Sequence, residues 1–132
     1  MTYRIRIPRA PASPNHRGTP LRARLALLKE ERERAYLTAC QTRNAHAWPR
    51  ITGPARITWT VYRHRLLDPM VNLPASLKHY QDGLCRALLP LGDGPGTPYT
   101  WEAPTQVKIP ADEDEAVTVT ITTPEARDDA EP

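Results

Sequence analysis

Residues 73–88 read LPASLKHYQDGLCRAL and carry the clearest periodicity in the chain. Apolar side chains recur there at spacings of three and four residues, which predicts one buried helix face. The stripe consists of Leu73, Leu77, Tyr80, Leu84 and Leu88. Pro74 fits only in the first turn of such a helix, where its missing N–H is tolerated. The sequence therefore predicts a helix that begins after Asn72 and buries one face.

Charged residues flank that stripe. Lys78 and Asp82 are one helical turn apart and fall off the apolar stripe, so they share a polar face. Asp68 and Asn72 precede the helix near its positive dipole end, and Asp93 follows it in a glycine-rich loop. If that loop turns back toward the helix start, the carboxylates of Asp68, Asp82 and Asp93 converge on one hard cation such as Mg²⁺. The alternative is a surface ion pair surrounded by capping and turn residues.

The remaining elements follow from alternation and turn signals. Strands are predicted over 3–7, 55–63, 101–109 and 117–122, each with one apolar face and one face rich in Thr and Arg. Pro8 stops the first strand. Two helices covering the apolar face give an α+β domain of two layers, with a mixed four-stranded sheet. We expect the domain to span residues 1–123 and an acidic, disordered tail to follow over 124–132.

The first of the two helices is predicted from Thr19, as N-cap, to about Asn44, with Pro20 at the first helical position. Its apolar stripe is Leu21, Leu25, Leu28, Ala35 and Ala39. The same pattern places Arg24, Glu31 and Arg34 toward water. Trp48 and Trp59 are expected in the core rather than as platforms for stacked bases.

Length and composition bound the class of protein. A chain of 132 residues makes one domain with a real core. It has no apolar run near the roughly 20 residues of a membrane span, and arginines from Arg4 onward argue against a signal peptide. Cys40 and Cys85 form no Cys-x-x-Cys pair, which argues against a zinc site. A reducing, cytoplasmic setting with both thiols buried fits best.

Charge is distributed unevenly. Residues 1–65 hold 14 of the 18 Lys and Arg but only 3 of the 15 Asp and Glu. A basic half attracts polyanions and an acidic half collects cations, as an enzyme acting on phosphodiesters requires. The two halves could also simply neutralise each other across the folded surface. The residues expected to meet DNA phosphates, or else to form a solvated helix start, are Arg9, His16, Arg17, Arg22 and Arg24.

The region 68–101 resembles the RusA-like Holliday junction resolvases, especially the phage and prophage members. Their motif has an Asp-x-Asp-Asn-Leu signature, then Lys and Asp one turn apart, a small residue, Leu and an acidic turn. Asp68 to Leu73, Lys78, the Asp82-Gly83-Leu84 triplet and Asp93 stand at matching places. Weaker likenesses are Pro11 to Asn15, Trp101-Glu102, Gln106-Val107-Lys108 and the last strand, so the resemblance touches most of residues 3–122.

The resemblance implies a Mg²⁺-dependent endonuclease of that fold, with Mn²⁺ as a substitute ion, acting on branched DNA as a homodimer. It needs no organic cofactor and no membrane. Asp68 and Asp93 would be metal ligands, Asp82 a ligand or a supporting group, Lys78 an electrostatic stabiliser, and Asn72 would orient the loop.

One departure from the family motif concerns the residue immediately before Asn72. The family has a second acid there, whereas this chain has Val71, and the spacing from Asp68 is one residue longer. Valine cannot bind a metal, so one implied carboxylate is missing unless Asp82 supplies the oxygen. Two alternatives to a nuclease remain: a non-catalytic DNA-binding relative, and an interaction protein that uses its basic half and acidic tail.

Overall fold

The computed structural model describes residues 1–14 and 18–124. Within them, eight elements form an α+β domain: β1 (Thr2–Pro8), α1 (Leu21–His46), β2 (Ala55–Arg63), α2 (Asn72–Ser76), α3 (Lys78–Ala87), β3 (Tyr99–Trp101), β4 (Thr105–Lys108) and β5 (Ala116–Thr122). The predicted contact residues His16 and Arg17, and the predicted tail beyond Pro124, lie outside the described residues. No described helix is both long and apolar enough to cross a membrane.

The sheet is mixed, as predicted, but the described part has five strands rather than four. β5 lies between β1 and β2 and is antiparallel to both, while β3 and β4 pair in parallel with β2 along its other side. The segment predicted as one strand over 101–109 is interrupted, because residues 102–104 stand opposite only residues 58 and 59 of β2. Pro104 has no N–H to continue the hydrogen bonding with β2. Three residues facing two leave one residue in excess, which forms a bulge.

One face of the sheet is the core. Side chains on alternate positions of β1, β2 and β5 are buried, as period-two burial requires. They pack with the stripe of α2 and α3, whose five predicted members are all at most 2% exposed. The predicted second helix is divided at Leu77, so that α2 is a short turn and α3 carries the main contact with α1. The opposite sheet face, rich in Thr and Arg, has no helix among the described residues.

The start of α1 differs from the prediction. The helix begins at Leu21, with Pro20 rather than Thr19 at the cap position and no side-chain cap. Leu21 and Leu25 are 60% and 56% exposed, so the described residues do not bury the predicted stripe at this end of the helix. Ala35 and Ala39 are fully buried, as predicted. The helix ends at His46, where Ala47 adopts a left-handed conformation.

Glu31 was expected to face water and is instead 2% exposed. Its Oε2 accepts a hydrogen bond from the N–H of Ala12 at 2.7 Å, and Arg63, also buried, donates to the carbonyl of Pro11. The loop after β1 therefore folds over α1, and its backbone groups hydrogen-bond to these two charged side chains. Burial is the largest effect on the pKa of Glu31 and raises it, against the hydrogen bond from Ala12. Arg34, likewise expected to be solvated, donates to the Tyr80 hydroxyl at 2.7 Å.

Replacing Glu31 with alanine is expected to destabilise the protein by about 3 kcal/mol, because the buried Arg63 would lose one of the two carboxylates that favour its charged form, the other being Glu115. The part-buried N–H of Ala12 would also lose its acceptor. Glu33→Ala on the exposed side of the same helix should change stability by less than about 0.5 kcal/mol. Urea unfolding of both variants measures the difference, and equal stabilities would contradict the role given to Glu31.

Candidate functional site

Helix α3 presents the predicted polar face. Lys78 is its first residue and Asp82 lies one turn later, so both project beside the buried stripe. The Lys78 Nζ is 3.1 Å from Asp82 Oδ1. The Lys78 side chain is 54% exposed and the Asp82 side chain 34% exposed, which places the pair at the surface. On its own such a pair is worth only a few tenths of a kcal/mol.

Asp93 brings a second carboxylate to the same lysine. After α3 the chain turns at Gly92, whose φ of 82° lies in the left-handed region that glycine adopts without strain. The turn returns Asp93 to α3, where its Oδ2 lies 2.9 Å from Lys78 Nζ and accepts a hydrogen bond from Gln81 Nε2, also at 2.9 Å. The structure therefore brings together Asp82, Asp93, Lys78 and Gln81, which we call the α3 cluster, whereas the predicted convergence was that of Asp68, Asp82 and Asp93.

The electrostatics of the α3 cluster favour its charged state. The hydrogen bond from Lys78 lowers the pKa of Asp93 below its usual value, and partial burial opposes that effect less strongly. The hydrogen bonds to Asp93 and then to Asp82 raise the pKa of Lys78. Both shifts favour the charged forms of Lys78 and Asp93.

Removing the ammonium is expected to raise the pKa of Asp93. In Lys78→Met the desolvation remains while the hydrogen bond that lowers the pKa most is lost, so the pKa of Asp93 should rise. A depressed carboxyl pKa adds stability above the unfolded value and loses it as pH falls through the folded value, so the variant should lose less stability on acidification. Carbon-13 NMR titration of the Asp93 carboxyl measures the shift, with Lys29→Met as the control. An unchanged pKa would contradict this account.

Asp68 occupies a separate position. Its Oδ1 accepts a hydrogen bond from the N–H of Met70 at 2.9 Å, and its carbonyl accepts the N–H of Leu73 at the start of α2. Asn72 is the first residue of α2 and is half-buried. Val71, at the position of the family's second acid, is 64% exposed. The described contacts of Asp68 thus shape a turn, and its role as a metal ligand stays a prediction.

The sequence did not predict a side chain that holds the segment before Asp68 by hydrogen bonds. The Gln106 side chain accepts a hydrogen bond from the N–H of Leu67 at 3.1 Å and donates to the Leu67 carbonyl at 2.6 Å. One amide thus satisfies both backbone groups of a residue that has no strand partner. Gln81 was also missed, although its position three residues after Lys78 on the predicted helix is a signal that could have identified it.

The chemistry of the α3 cluster fits a hard cation only in part. Asp82 and Asp93 supply the oxygen ligands that Mg²⁺ prefers, and both reach one point in space, which Lys78 Nζ occupies. Within residues 1–14 and 18–124, however, no group of three or more His, Cys, Asp or Glu side chains is placed to hold a metal ion. Two carboxylates suffice for Mg²⁺ only when waters complete the octahedron.

The predicted DNA contacts have different surroundings. Arg9 and Arg22 are exposed. Arg9 has a φ of 69°, and its carbonyl accepts a hydrogen bond from the Tyr80 hydroxyl at 2.8 Å. Arg24, expected to be solvated, is half-buried, and its Nε has no hydrogen-bond partner among the described residues. Arg9 and Arg22 are thus available to phosphates, whereas Arg24 is partly covered.

No protein-family model matches the chain, and no curated protein matches it. The class of the protein therefore rests on the fold and the site together: an α+β domain with a mixed five-stranded sheet and a cluster of one lysine and two aspartates on the polar face of α3.

Proposed function

We propose that the chain is a Mg²⁺-dependent endonuclease of the RusA-like kind, which hydrolyses phosphodiesters in branched DNA such as Holliday junctions. The observation that carries the proposal is the convergence of Asp82 and Asp93 on Lys78, from positions 4 and 15 residues further along the chain. These residues stand where the family motif has its Lys–Asp pair and acidic turn. The basic first half of the sequence supports a polyanionic substrate.

In this proposal Asp82 and Asp93 hold the metal ion, and Asp68 completes its ligands if the loop before α2 approaches. A Mg²⁺ ion held by these residues would supply Lewis-acid chemistry, activating a water and stabilising the leaving oxygen of the phosphodiester. Gln81 fixes the orientation of the Asp93 carboxylate through its hydrogen bond. Lys78 is more than half exposed, so it is free to turn toward the phosphate and neutralise the charge that develops there.

In this proposal DNA would be bound by positively charged side chains outside the α3 cluster. Arg9 and Arg22 are exposed, and each phosphate contact they make releases counterions, so binding should weaken steeply with added salt. A junction has two symmetry-related strands to cut. A two-fold homodimer would present one α3 cluster to each of them.

A synthetic four-way junction with labelled strands tests the proposal. Incubation with the protein and Mg²⁺ should give two symmetrical cuts, and chelation of the metal should abolish them. Linear duplex of the same sequence is the matched control substrate. Absence of metal-dependent cutting at any protein concentration would rule out the nuclease.

Restoring the family's missing acid is expected to raise cleavage. Val71→Asp adds a carboxylate on the loop next to Asp68, which increases the number of oxygen ligands available to Mg²⁺. We expect an increase of about 10-fold or more in the cleavage rate, the size of change that one supporting group makes at a metal site. Val71→Asn, of similar shape but neutral, is the control. An unchanged rate in Val71→Asp would show that position 71 does not face the metal.

A second candidate is a DNA-binding relative without catalysis. It is favoured by Val71 and by the ammonium of Lys78, which lies between the two carboxylates where a cation would lie. Such a protein would bind four-way junctions with strong salt dependence and no need for Mg²⁺. Gel-shift titrations at several salt concentrations, with chelator present, distinguish it from a protein that does not bind DNA.

A further inference from the structure

The sheet has one face that no described helix covers. Along β1, β2 and β5, core-facing and outward residues alternate, and the pairing register places the outward residues of the three strands side by side. We call the outward side of these three strands the open face. Its polar side chains are three arginines, Arg4, Arg6 and Arg56, with Tyr62 and threonines between them. The open face is therefore a polar surface on the side of the sheet opposite the helical layer.

Positive charge on the open face is only partly neutralised. None of the five described strands contains Asp or Glu. Arg4 and Arg6 are both exposed, and neither forms an ion pair with a described residue. The Arg6 guanidinium lies over the Tyr62 ring instead, 5.9 Å from its centroid. Because opposite charges on neighbouring strands stabilise a sheet, a face with arginines and no acids on its strands is suited to an anionic partner.

Acidic side chains border the open face in two places. Glu102 lies 3.4 Å from Arg56 Nε, but the Arg56 side chain is 65% exposed, so the pair is weak and Arg56 is able to exchange it for another anion. Glu113 and Asp114 line a cavity together with Arg6, toward the other end of the open face. Those two acids would repel a phosphate there. An anionic partner is therefore expected at the Arg56 end.

The residue types on the open face select phosphates among anions. Arg, Thr and Tyr side chains bind phosphate oxygens in protein–DNA complexes, and such contacts need no base edge. Arg4 and Arg56 lie on strands that flank β5, so their backbones are about 10 Å apart across the strands. The phosphates of a duplex are spaced closely enough to meet both side chains. A second copy of this chain fits less well, because a two-fold interface through the open face would bring like charges together.

We infer that the open face binds the sugar–phosphate backbone of one arm of branched DNA. The α3 cluster belongs to the helical layer on the other side of the sheet, so this arm is not the one that meets the cluster. The inference rests on the proposed function and adds to it, since it names a surface for a second arm. Because phosphate contacts carry no sequence information, this binding should be independent of base sequence.

Threonine methyl signals of the full chain, recorded without metal, provide the first test. Thr58 and Thr120 are outward residues of β2 and β5 and pair with each other, whereas Thr42 lies on α1. A short DNA duplex should shift the methyl signals of Thr58 and Thr120 and leave that of Thr42 unchanged. A second duplex of unrelated sequence should act equally.

Several results of this titration would overturn the inference. No shift of the two open-face threonines, or a shift of Thr42 alone, would show that DNA does not bind there. Equal shifts with polyglutamate of matched charge would indicate an acidic protein partner instead. Shifts that follow protein concentration without DNA would indicate a second copy of the chain.

A double variant provides the second test. Arg4→Gln combined with Arg56→Gln should weaken duplex binding at least about 10-fold in about 0.1 M salt, and should reduce the slope of log affinity against log salt by about 2. Lys29→Gln combined with Arg32→Gln removes the same charge from exposed positions on α1 and should change the affinity by less than about 2-fold. Thermal unfolding checks that both variants are folded. Equal losses of affinity would show that net charge, and not the open face, governs binding.

Failure of the proposed function is distinguishable from failure of this inference. Both tests are made without metal and measure no cleavage. If the open-face threonines respond and junctions are never cut, the open face is a DNA-binding surface of a non-catalytic protein. If junctions are cut and the threonines do not respond, the nuclease stands and the inference is wrong.

Discussion

Gly83→Ala is expected to be the most destabilising single methyl addition in the helical layer. Gly83 lies in α3 where that helix crosses α1, and a Cβ there would be 2.4 Å from the Arg32 carbonyl oxygen. It would also be 2.9 Å from Ala35 Cβ and from the backbone nitrogen of Tyr36. Two of these three atoms are backbone, so neither can rotate away and the helices must separate.

The expected loss is about 3 kcal/mol, at the upper end of the usual cost of overpacking a core. For a domain of this size it corresponds to a drop in Tm of about 10 °C. Gly53→Ala is the matched control, because a Cβ there meets no atom within 4 Å, and its stability should change by less than about 1 kcal/mol. Calorimetry measures both. A Gly83→Ala variant as stable as the control would contradict the close approach of α1 and α3.

Asp93→Asn is expected to reduce metal-dependent junction cleavage by at least about 100-fold, the upper end of the cost of removing a supporting partner from a metal site. The change keeps the shape of the side chain and removes its charge. One of the two carboxylates proposed to hold Mg²⁺ is then lost. The Asn side chain also has only one oxygen that can accept hydrogen bonds from Lys78 and Gln81, because its NH₂ group is a donor.

The control for Asp93→Asn is Asp112→Asn, in the exposed loop before β5, which should cleave as the wild type does. The exposed Lys78–Asp93 contact adds at most about 1 kcal/mol to stability, so thermal unfolding should show both variants folded. Wild-type rates in Asp93→Asn would exclude Asp93 as a metal ligand while leaving the fold untouched.

The sheet was largely predictable because strand periodicity reports directly on burial. In β2 the alternation of Ile57, Trp59 and Val61 with polar residues predicted both its limits and its buried face, and the structure confirms them. The break between β3 and β4 was missed, because it depends on pairing with β2 forty-four residues earlier rather than on local pattern. Pro104 was the one local signal for it.

Helix α1 shows where periodicity fails. Leu21 and Leu25 fit an apolar stripe, yet the described residues leave them 60% and 56% exposed. Glu31 was placed toward water as a charged residue, although it lies three residues after Leu28 and four before Ala35 on the same helix face. The loop after β1 covers that face and donates a hydrogen bond to Glu31, a tertiary contact that the charge of the residue does not reveal.

The α3 cluster was predictable where helix geometry alone applies, as for Lys78 and Asp82. The approach of Asp93 depended on the direction of one turn, which Gly92 permits but does not dictate. The position of Asp68 depends on the long-range contact between Leu67 and Gln106, and the approach of three carboxylates to one ion stays a prediction.

That long-range contact has a consequence for any motion of Asp68. Gln106 holds both backbone groups of Leu67, and α2 begins at Asn72, so the segment 68–71 is a tether of four residues between two anchored ends. The Asp68 carboxylate can change direction by rotation about the backbone bonds of residues 68–71, but this short segment cannot move as a whole across the domain. The reach of Asp68 is thereby limited by geometry, whatever ligand attracts it.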